Sequence, residues 1–201
     1  MTLQWRTGAA LVLAFAGCST EPPSAPTDPD DPTEITRRTD AMGSVRSDGD
    51  VSGETGAGDG PLNRIHEAFL RFDLSSIPAS ATIESVEIDV DDSTILGAPF
   101  SWGCLAGYEV DAFPLDATDF SGALPPAAER LFSWCSVAEL DAGALLGDTL
   151  RLAVEAAAGG PIEMRLQIEH AFFMGSRSNF DGVTDQVQLG APVLQITYST
   201  S

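Results

Sequence analysis

The three cysteines are the residues whose chemistry the sequence indicates most directly. Cys18 directly follows Gly17 and an apolar segment at residues 8–16, and Arg6 precedes that segment. This order is typical of a lipoprotein signal peptide, whose cysteine becomes acylated. The apolar segment is shorter than the roughly twenty residues that span a bilayer. We expect residues 1–17 to be a cleaved signal peptide and Cys18 to carry the lipid. The alternatives are an uncleaved anchor or a buried cysteine.

The other two thiols, Cys104 and Cys135, each follow a tryptophan closely. An exported protein folds in an oxidising compartment, where an even pair of thiols forms a disulfide. The bond would close a loop of about thirty residues and stabilise the fold by about 3 to 4 kcal/mol in the chain-entropy model. A zinc site is the alternative, but two cysteines without nearby histidines do not supply four ligands.

Oxygen ligands alternate around a glycine near the end of the chain, which is a pattern found in calcium loops. The residues are Asn179, Asp181 and Asp185, with Gly182 between them. Calcium prefers carboxylate and amide oxygens of this kind. The same residues also form ordinary Asx turns. We predict a structural calcium ion here as the only cofactor, with Asp59 and the segment at residues 48–50 as weaker candidates.

Aromatic side chains near the predicted disulfide could stack on a sugar ring. Trp102, Tyr108 and Trp134 are the candidates for ligand binding, and Phe100 is close to them in sequence. The alternative is that both tryptophans pack over the disulfide, since buried aromatic residues are more common than exposed ones.

No catalytic motif is present in the sequence. It contains only two histidines, His66 and His170, and it has no nucleophile elbow, zinc-protease motif or phosphate-binding loop. Carboxylates are abundant, but abundance does not identify the two distinct environments that an acid and base pair needs. We therefore predict that the protein is not an enzyme.

The charge of the chain excludes nucleic acid as a partner. Ten Arg and no Lys stand against thirty Asp and Glu, a net charge of -20, and no stripe of basic residues is present to bind phosphates. Residues 18–34 contain five prolines among acids and small polar residues. Such a segment does not fold and acts as a tether. Residues 35–201 are long enough for one domain.

Apolar and polar residues alternate along several segments, which indicates half-buried strands. The segments are separated by turn residues, the spacing of antiparallel β structure. The predicted strands lie at residues 70–74, 83–91, 150–155, 162–169 and 194–198. Residues 43–61 are rich in glycine and are predicted to hold at most one weak strand, and only residues 138–146 indicate a short helix. The predicted architecture is an all-β antiparallel β-sandwich, with a barrel as the alternative.

Two segments carry a resemblance to a known family. Residues 68–85, Ala-Phe-Leu-Arg-Phe-Asp-Leu-Ser-Ser-Ile-Pro-Ala-Ser-Ala-Thr-Ile-Glu-Ser, resemble the signature of DNRLRE-domain proteins, and residues 192–198 resemble the closing strand of that family. The resemblance implies an extracellular jelly-roll domain related to carbohydrate-binding modules. Neither segment defines glycan-binding residues, so none is transferred to this chain.

These expectations together predict an exported lipoprotein at the outer membrane or cell surface. The only membrane contact is through the lipid at Cys18. The expected function is noncatalytic binding of a polysaccharide. A structural or adhesion role with a surface protein as partner is the alternative, and a polysaccharide-degrading enzyme is the third.

Replacing Cys18 with Ser tests the lipid anchor. The variant should lose both acylation and normal processing because one residue provides the acyl acceptor and the processing signal. Fractionation of membranes should then find soluble or unprocessed protein. Processing and membrane retention equal to wild type would contradict the assignment.

Overall fold

The structure is a computed structural model, which describes residues 31–90, 92–122, 130–141, 148–170 and 181–200. These residues form eleven strands and two short α-helices. The strands are β1 (Thr33–Arg46), β2 (Val51–Ser52), β3 (Gly56–Gly60), β4 (Arg64–Asp73), β5 (Thr82–Asp89), β6 (Thr94–Leu96), β7 (Gly103–Glu109), β8 (Arg130–Trp134), β9 (Pro161–His170), β10 (Asp185–Gln188) and β11 (Val193–Ser199). The helices are α1 (Val137–Asp141) and α2 (Asp148–Ala156).

Strand β1 belongs to two sheets. Its first part pairs with β11, which pairs in turn with β5. Its second part pairs with β4 and, at the end, with β2. The other edge of β4 carries both β3, which leads to β10 and β6, and β9, which leads to β7 and β8. All of these pairings are antiparallel, and the sheet formed by the described strands does not close. The predicted all-β sandwich is confirmed.

The main core lies between the two layers of the sandwich. The alternation of apolar and polar residues in the sequence predicts well which side chains enter it. The predicted strands at residues 70–74, 83–91, 162–169 and 194–198 correspond to β4, β5, β9 and β11. Their inward side chains are buried, and they pack with apolar residues of β7, β8 and α2. The predicted alternation therefore identifies the inner face of four strands correctly.

The predicted strand at residues 150–155 is wrong, because this segment forms helix α2. Leu150 and Val154 are fully buried, whereas Leu152 is 53% exposed. A strand would place all three side chains on one face, but in a helix the residues four apart share a face and the residue between them does not. Leu, Arg, Ala and Glu are also good helix formers.

The predicted helix at residues 138–146 is described only in its first part, as α1, because residues 142–147 lie outside the described residues. Two hydrogen bonds explain why α1 begins at this point. The Ser136 hydroxyl oxygen accepts a hydrogen bond from the Glu139 backbone N–H at 3.2 Å, and the Glu139 carboxylate accepts one from the Cys135 backbone N–H at 2.7 Å. Both bonds satisfy N–H groups at the start of the helix.

Residues 43–61 contain more β structure than predicted. They include the end of β1 and the whole of β2 and β3. Strand β3 has the sequence Gly-Ala-Gly-Asp-Gly and is entirely buried, because it pairs with β4 on one side and β10 on the other. Gly58 has a φ of +127°, which few other residues adopt. Backbone pairing specifies this strand, so side-chain alternation does not reveal it.

Helix α2 packs beside strand β5, at the end of the sheet. The Ile83 backbone N–H donates to the Glu155 carboxylate at 3.2 Å, and the Ile83 carbonyl accepts from the Arg151 guanidinium at 3.0 Å. Arg151 and Glu155 also pair with each other at 3.2 Å. Two side chains therefore satisfy the backbone groups that a further strand would otherwise bind.

The outer face of β4 and β9 carries buried charged side chains. Glu67 is fully buried, and its carboxylate accepts backbone hydrogen bonds from Ser121 and Gly122, both at 3.1 Å. The Glu163 carboxylate accepts two more, from Ala112 at 2.8 Å and Phe113 at 3.0 Å. Residues 110–122, named here the covering loop, are thus held against the sheet by two carboxylates.

Replacing Glu163 with Gln tests this attachment. The amide has a similar shape but no charge, and hydrogen bonds to charged groups contribute about 1.5 to 3 kcal/mol. We expect the free energy of unfolding to fall by about 1 to 3 kcal/mol, measured by urea denaturation. Glu87→Gln on the exposed side of β5 is the control and should change it by less than about 0.5 kcal/mol. Equal effects of the two substitutions would show that Glu163 does not hold the loop.

Candidate functional site

The predicted disulfide between Cys104 and Cys135 is present and joins neighbouring strands. Cys104 lies in β7, and Cys135 directly follows β8. The adjacent residues Leu105 and Trp134 are opposite each other in the register of these two strands. The bond therefore fixes the end of the β7–β8 pair.

The aromatic residues predicted to bind sugar do not form an exposed platform. Trp134 is fully buried and lies against Phe132, with ring centroids 4.7 Å apart. Tyr108 is 2% exposed, and Trp102 is partly buried against the core. A sugar ring stacks only on an aromatic face that it can reach. In this arrangement Tyr108 and Trp134 offer no such face.

The predicted calcium ligands lie partly in the described chain. Asn179 lies outside the described residues. The Asp181 carboxylate accepts a hydrogen bond from the Val183 backbone N–H at 2.7 Å, which is an Asx turn. The Asp185 carboxylate is buried, accepts one from Ala98 at 2.6 Å, and is opposite Asp59 across β10 and β3. Within the described ranges, no group of three or more His, Cys, Asp or Glu side chains could hold a metal ion.

A cleft of about 400 Å³ lies beside the second part of β1. Three segments that are distant in sequence line it: the second part of β1, the loop between β2 and β3, and the end of β10 with the residues that follow. The lining residues are Met42, Gly53, Glu54, Thr55, Gln188, Leu189 and Gly190. Its volume lies within the range of roughly 300 to 1,000 Å³ that is usual for small-molecule sites.

Hydrogen bonds fix the backbone of the cleft. The Ser44 hydroxyl donates to the Glu54 carbonyl at 2.7 Å, and the Glu54 N–H donates to the Ser52 hydroxyl oxygen at 3.0 Å. The Leu189 N–H donates to the Thr55 carbonyl at 2.8 Å. The first two bonds fix Glu54 against β1 and β2, and the third joins residues 53–55 to residues 188–190, so the backbone of the cleft is held in place without a ligand.

The chemistry of the lining is mixed. Met42 and Leu189 supply apolar surface, and Glu54 and Gln188 supply polar side chains, whereas the hydroxyl oxygen of Thr55 is buried. Glu54 is exposed and is the only ionisable side chain among the described residues that line the cleft. Thr55 is 5% exposed, and its hydroxyl oxygen has no hydrogen-bond partner within the protein. Small-molecule sites commonly combine apolar surface with a few polar groups, and this lining has both.

No protein-family model matches the chain, and no curated protein is significantly similar to it. The residues that line the cleft are therefore the basis for proposing its ligand. The resemblance of residues 68–85 to DNRLRE-domain proteins stays a prediction. Of the described helices, none has the length and apolar character needed to cross a membrane.

Gly190 allows close packing beside the cleft. A Cβ atom at this position would lie 2.5 Å from the carbonyl oxygen of Asp92, which is closer than such atoms approach in proteins. Only glycine fits without movement of the backbone. This requirement for glycine depends on a contact with Asp92, which is distant in sequence.

Among the described groups with shifted pKa values, His66 and Glu169 are the two whose shift is caused chiefly by burial, and both lie outside the cleft. Burial lowers the pKa of His66, with a further lowering by the charge of Arg46, while Asp48 opposes the change. Burial raises the pKa of Glu169, although this carboxylate pairs with Arg130 at 3.2 Å. Neither group lines the cleft, so the shifts concern stability.

The shift of His66 predicts how stability depends on pH. Because its pKa is lower in the folded protein, the unfolded chain takes up a proton first as the pH falls below about 6.5. Folded protein should therefore lose stability between pH 7 and pH 5, and His66→Gln should reduce that loss. Urea denaturation of both proteins across this range measures the difference. An equal pH dependence of the two proteins would contradict the shift.

Proposed function

We propose that this protein is an exported lipoprotein, anchored at Cys18, whose β-sandwich domain binds a polysaccharide without cleaving it. The observation that carries the proposal is the preformed cleft, which is lined by the polar side chains of Glu54 and Gln188 and by the apolar side chains of Met42 and Leu189. The signal peptide, the tether and the resemblance to carbohydrate-binding modules support the proposal from the sequence.

A saccharide fits the mixed character of this lining. One face of a sugar ring presents C–H groups, and its edges present hydroxyls. Met42 and Leu189 can contact the C–H face, while the amide of Gln188 both donates and accepts hydrogen bonds with hydroxyls. None of the described lining residues is aromatic, so the affinity would come from hydrogen bonds and aliphatic contact rather than from stacking.

Binding agrees better than hydrolysis with the charges of the cleft. Glycosidases of the common kinds use two carboxyl groups, one as acid and one as base or nucleophile. Glu54 is the single carboxylate among the described lining residues. The proposal therefore assigns Glu54 to recognition of the ligand.

A surface protein is the second candidate partner. Leu62 is 75% exposed and Val183 is 52% exposed, and the turns that carry them are joined because the Gly182 N–H donates to the Asn63 side chain at 2.9 Å. Two apolar side chains cover much less area than a stable interface of about 1,200 Å² or more. The cleft therefore carries the stronger argument.

We also propose that the loop containing Asp181 and Asp185 binds a calcium ion. Its predicted role is structural, since neither residue lines the cleft. Binding experiments with and without calcium ions therefore separate a structural ion from one that bridges the protein to an acidic ligand.

Replacing Gln188 with Ala tests the cleft as the binding site. Calorimetry against neutral and acidic oligosaccharides, with and without calcium, should find a ligand for the domain truncated at Cys18. The variant should bind that ligand about five- to thirtyfold more weakly, because one or two hydrogen bonds of about 1 kcal/mol each are lost.

Gln195→Ala is the matched control, since Gln195 is a partly buried glutamine of β11 outside the cleft. It should leave the affinity unchanged. Absence of binding to every saccharide at millimolar concentration would overturn the proposed function. New reducing ends in a parallel product assay would replace binding with catalysis.

A further inference from the structure

We propose that the backbone N–H and carbonyl of Met42 face the cleft without a strand partner and bind two neighbouring hydroxyls of one sugar ring. This inference rests on the proposed function, since it names a recognition element and a ligand feature for the same cleft. It goes beyond that function because it assigns polar recognition to the backbone of β1 as well as to side chains.

One edge of β1 lacks a neighbouring strand over a short segment. On this edge β11 pairs with β1 up to Arg38, and the Thr39 N–H still donates to the Pro192 carbonyl at 3.2 Å. Strand β2 pairs with the same edge only from Ser44, which is opposite Ser52. Between Thr39 and Ser44 no described strand pairs with this edge, whereas β4 pairs with the opposite edge from Thr39 onward. The segment between them is named here the β1 gap.

The alternation along β1 turns the backbone of Met42 toward the β1 gap. In an antiparallel strand the N–H and C=O of one residue point to the same edge, and those of the next residue point to the other. The Arg46 N–H donates to Asp50, directly before β2, at 2.9 Å, and the Ser47 N–H donates to Ile65 of β4 at 2.9 Å. The register with β4 is unbroken from Met42 to Arg46. Met42 therefore points to the same edge as Arg46, which is the edge with the gap.

Two serine hydroxyls hold away the segment that would otherwise fill the β1 gap. If β2 continued in its register, Glu54 would be opposite Met42. Instead the Ser44 hydroxyl donates to the Glu54 carbonyl at 2.7 Å, and the Glu54 N–H donates to the Ser52 hydroxyl oxygen at 3.0 Å. Both backbone groups of Glu54 are thus engaged elsewhere. The cleft occupies this place, with Met42 and Glu54 in its lining.

The size of the β1 gap favours a sugar over a peptide strand. A peptide that adds to a sheet edge pairs with several residues of that edge. The segment from Thr39 to Ser44 is about 16 Å long, and after the register shift at Asp40 the alternation turns only Met42 toward the gap. One residue offers a donor and an acceptor side by side. Two neighbouring sugar hydroxyls match them, because one accepts from the N–H and the other donates to the carbonyl.

Amide hydrogen exchange, measured by NMR on the domain truncated at Cys18, tests the ligand-free protein. The Met42 amide should exchange about a hundredfold faster, or more, than the amides of Gly43 and Val45. Val45 and Gly43 are the matched controls, since Val45 points to β4 as Ser47 does, and Gly43 does so in turn. Equal protection of Met42 and Gly43 would overturn the inference.

Ligand binding is tested with cellotetraose, mannotetraose and tetragalacturonate, because every ring of each has two free neighbouring hydroxyls. Saturation with the oligosaccharide that binds in calorimetry should slow exchange of Met42 about tenfold or more, and change that of Gly43 and Val45 less than about twofold. Its 2,3-di-O-methyl derivative should bind about tenfold more weakly or worse, because it cannot donate to the Met42 carbonyl. Full affinity of the derivative would contradict recognition of these hydroxyls.

Ser44→Ala tests the residue that holds Glu54 away from Met42. Without the hydroxyl, the Glu54 carbonyl loses its partner and should turn to the Met42 N–H. Exchange of Met42 should then slow, and the affinity for the oligosaccharide should fall about three- to tenfold. Ser85→Ala on the exposed side of β5 is the control and should change neither. Exchange of Met42 that is no slower than in wild type would show that Ser44 does not keep the β1 gap open.

The outcomes separate this inference from the proposed function. If no saccharide binds, both fail. If a saccharide binds and Gln188→Ala weakens it, but exchange of Met42 does not respond to the ligand, polysaccharide binding in the cleft stands and recognition by the backbone of β1 is wrong. Protection of Met42 in the ligand-free domain would overturn this inference alone.

Discussion

The exchange of pairing partners along β1 is the constraint on which the rest of the structure depends. The strand pairs with β11 up to Arg38 and with β4 from Thr39 onward, with a register shift between Thr39 and Ala41. Each backbone N–H and C=O must find a partner, so one long strand that serves two sheets holds both layers of the sandwich at a fixed separation. Met42 follows this exchange directly, and the cleft opens beside it.

Buried carboxylates are the second unusual property, because a chain with thirty acids has few cations to neutralise them. Glu67 and Glu163 each accept two hydrogen bonds from backbone N–H groups of the covering loop. Arg165 is 3.6 Å from Glu67, and Arg71 is 3.4 Å from Glu163. A carboxylate that accepts charge-assisted hydrogen bonds from the backbone needs fewer counter-ions. A strongly acidic chain can therefore place carboxylates on the outer face of β4 and β9, beneath the covering loop, without a matching number of cations.

The sequence predicts the fold much better than it predicts the site. Strands with one apolar face, such as β5 and β11, can be recognised in the sequence because apolar and polar residues alternate along them. Residues 150–155 fit that alternation equally well, although Leu, Arg, Ala and Glu are good helix formers, and the exposure of Leu152 shows that the segment is a helix. The disulfide was predictable from an even pair of thiols. The cleft was not, because Met42, Thr55 and Gln188 come from segments that only the pairing of β1, β3, β4 and β10 brings together. The presence of a tryptophan in the sequence likewise does not show whether its ring is buried or exposed.

The ion pair that faces Ile83 has a consequence for how copies of the protein meet. An open strand edge invites addition of a strand from another molecule and the growth of aggregates. Arg151 and Glu155 occupy the Ile83 N–H and carbonyl that such a strand would use first. The short helix thus protects this edge of β5 from pairing with a second copy of the protein.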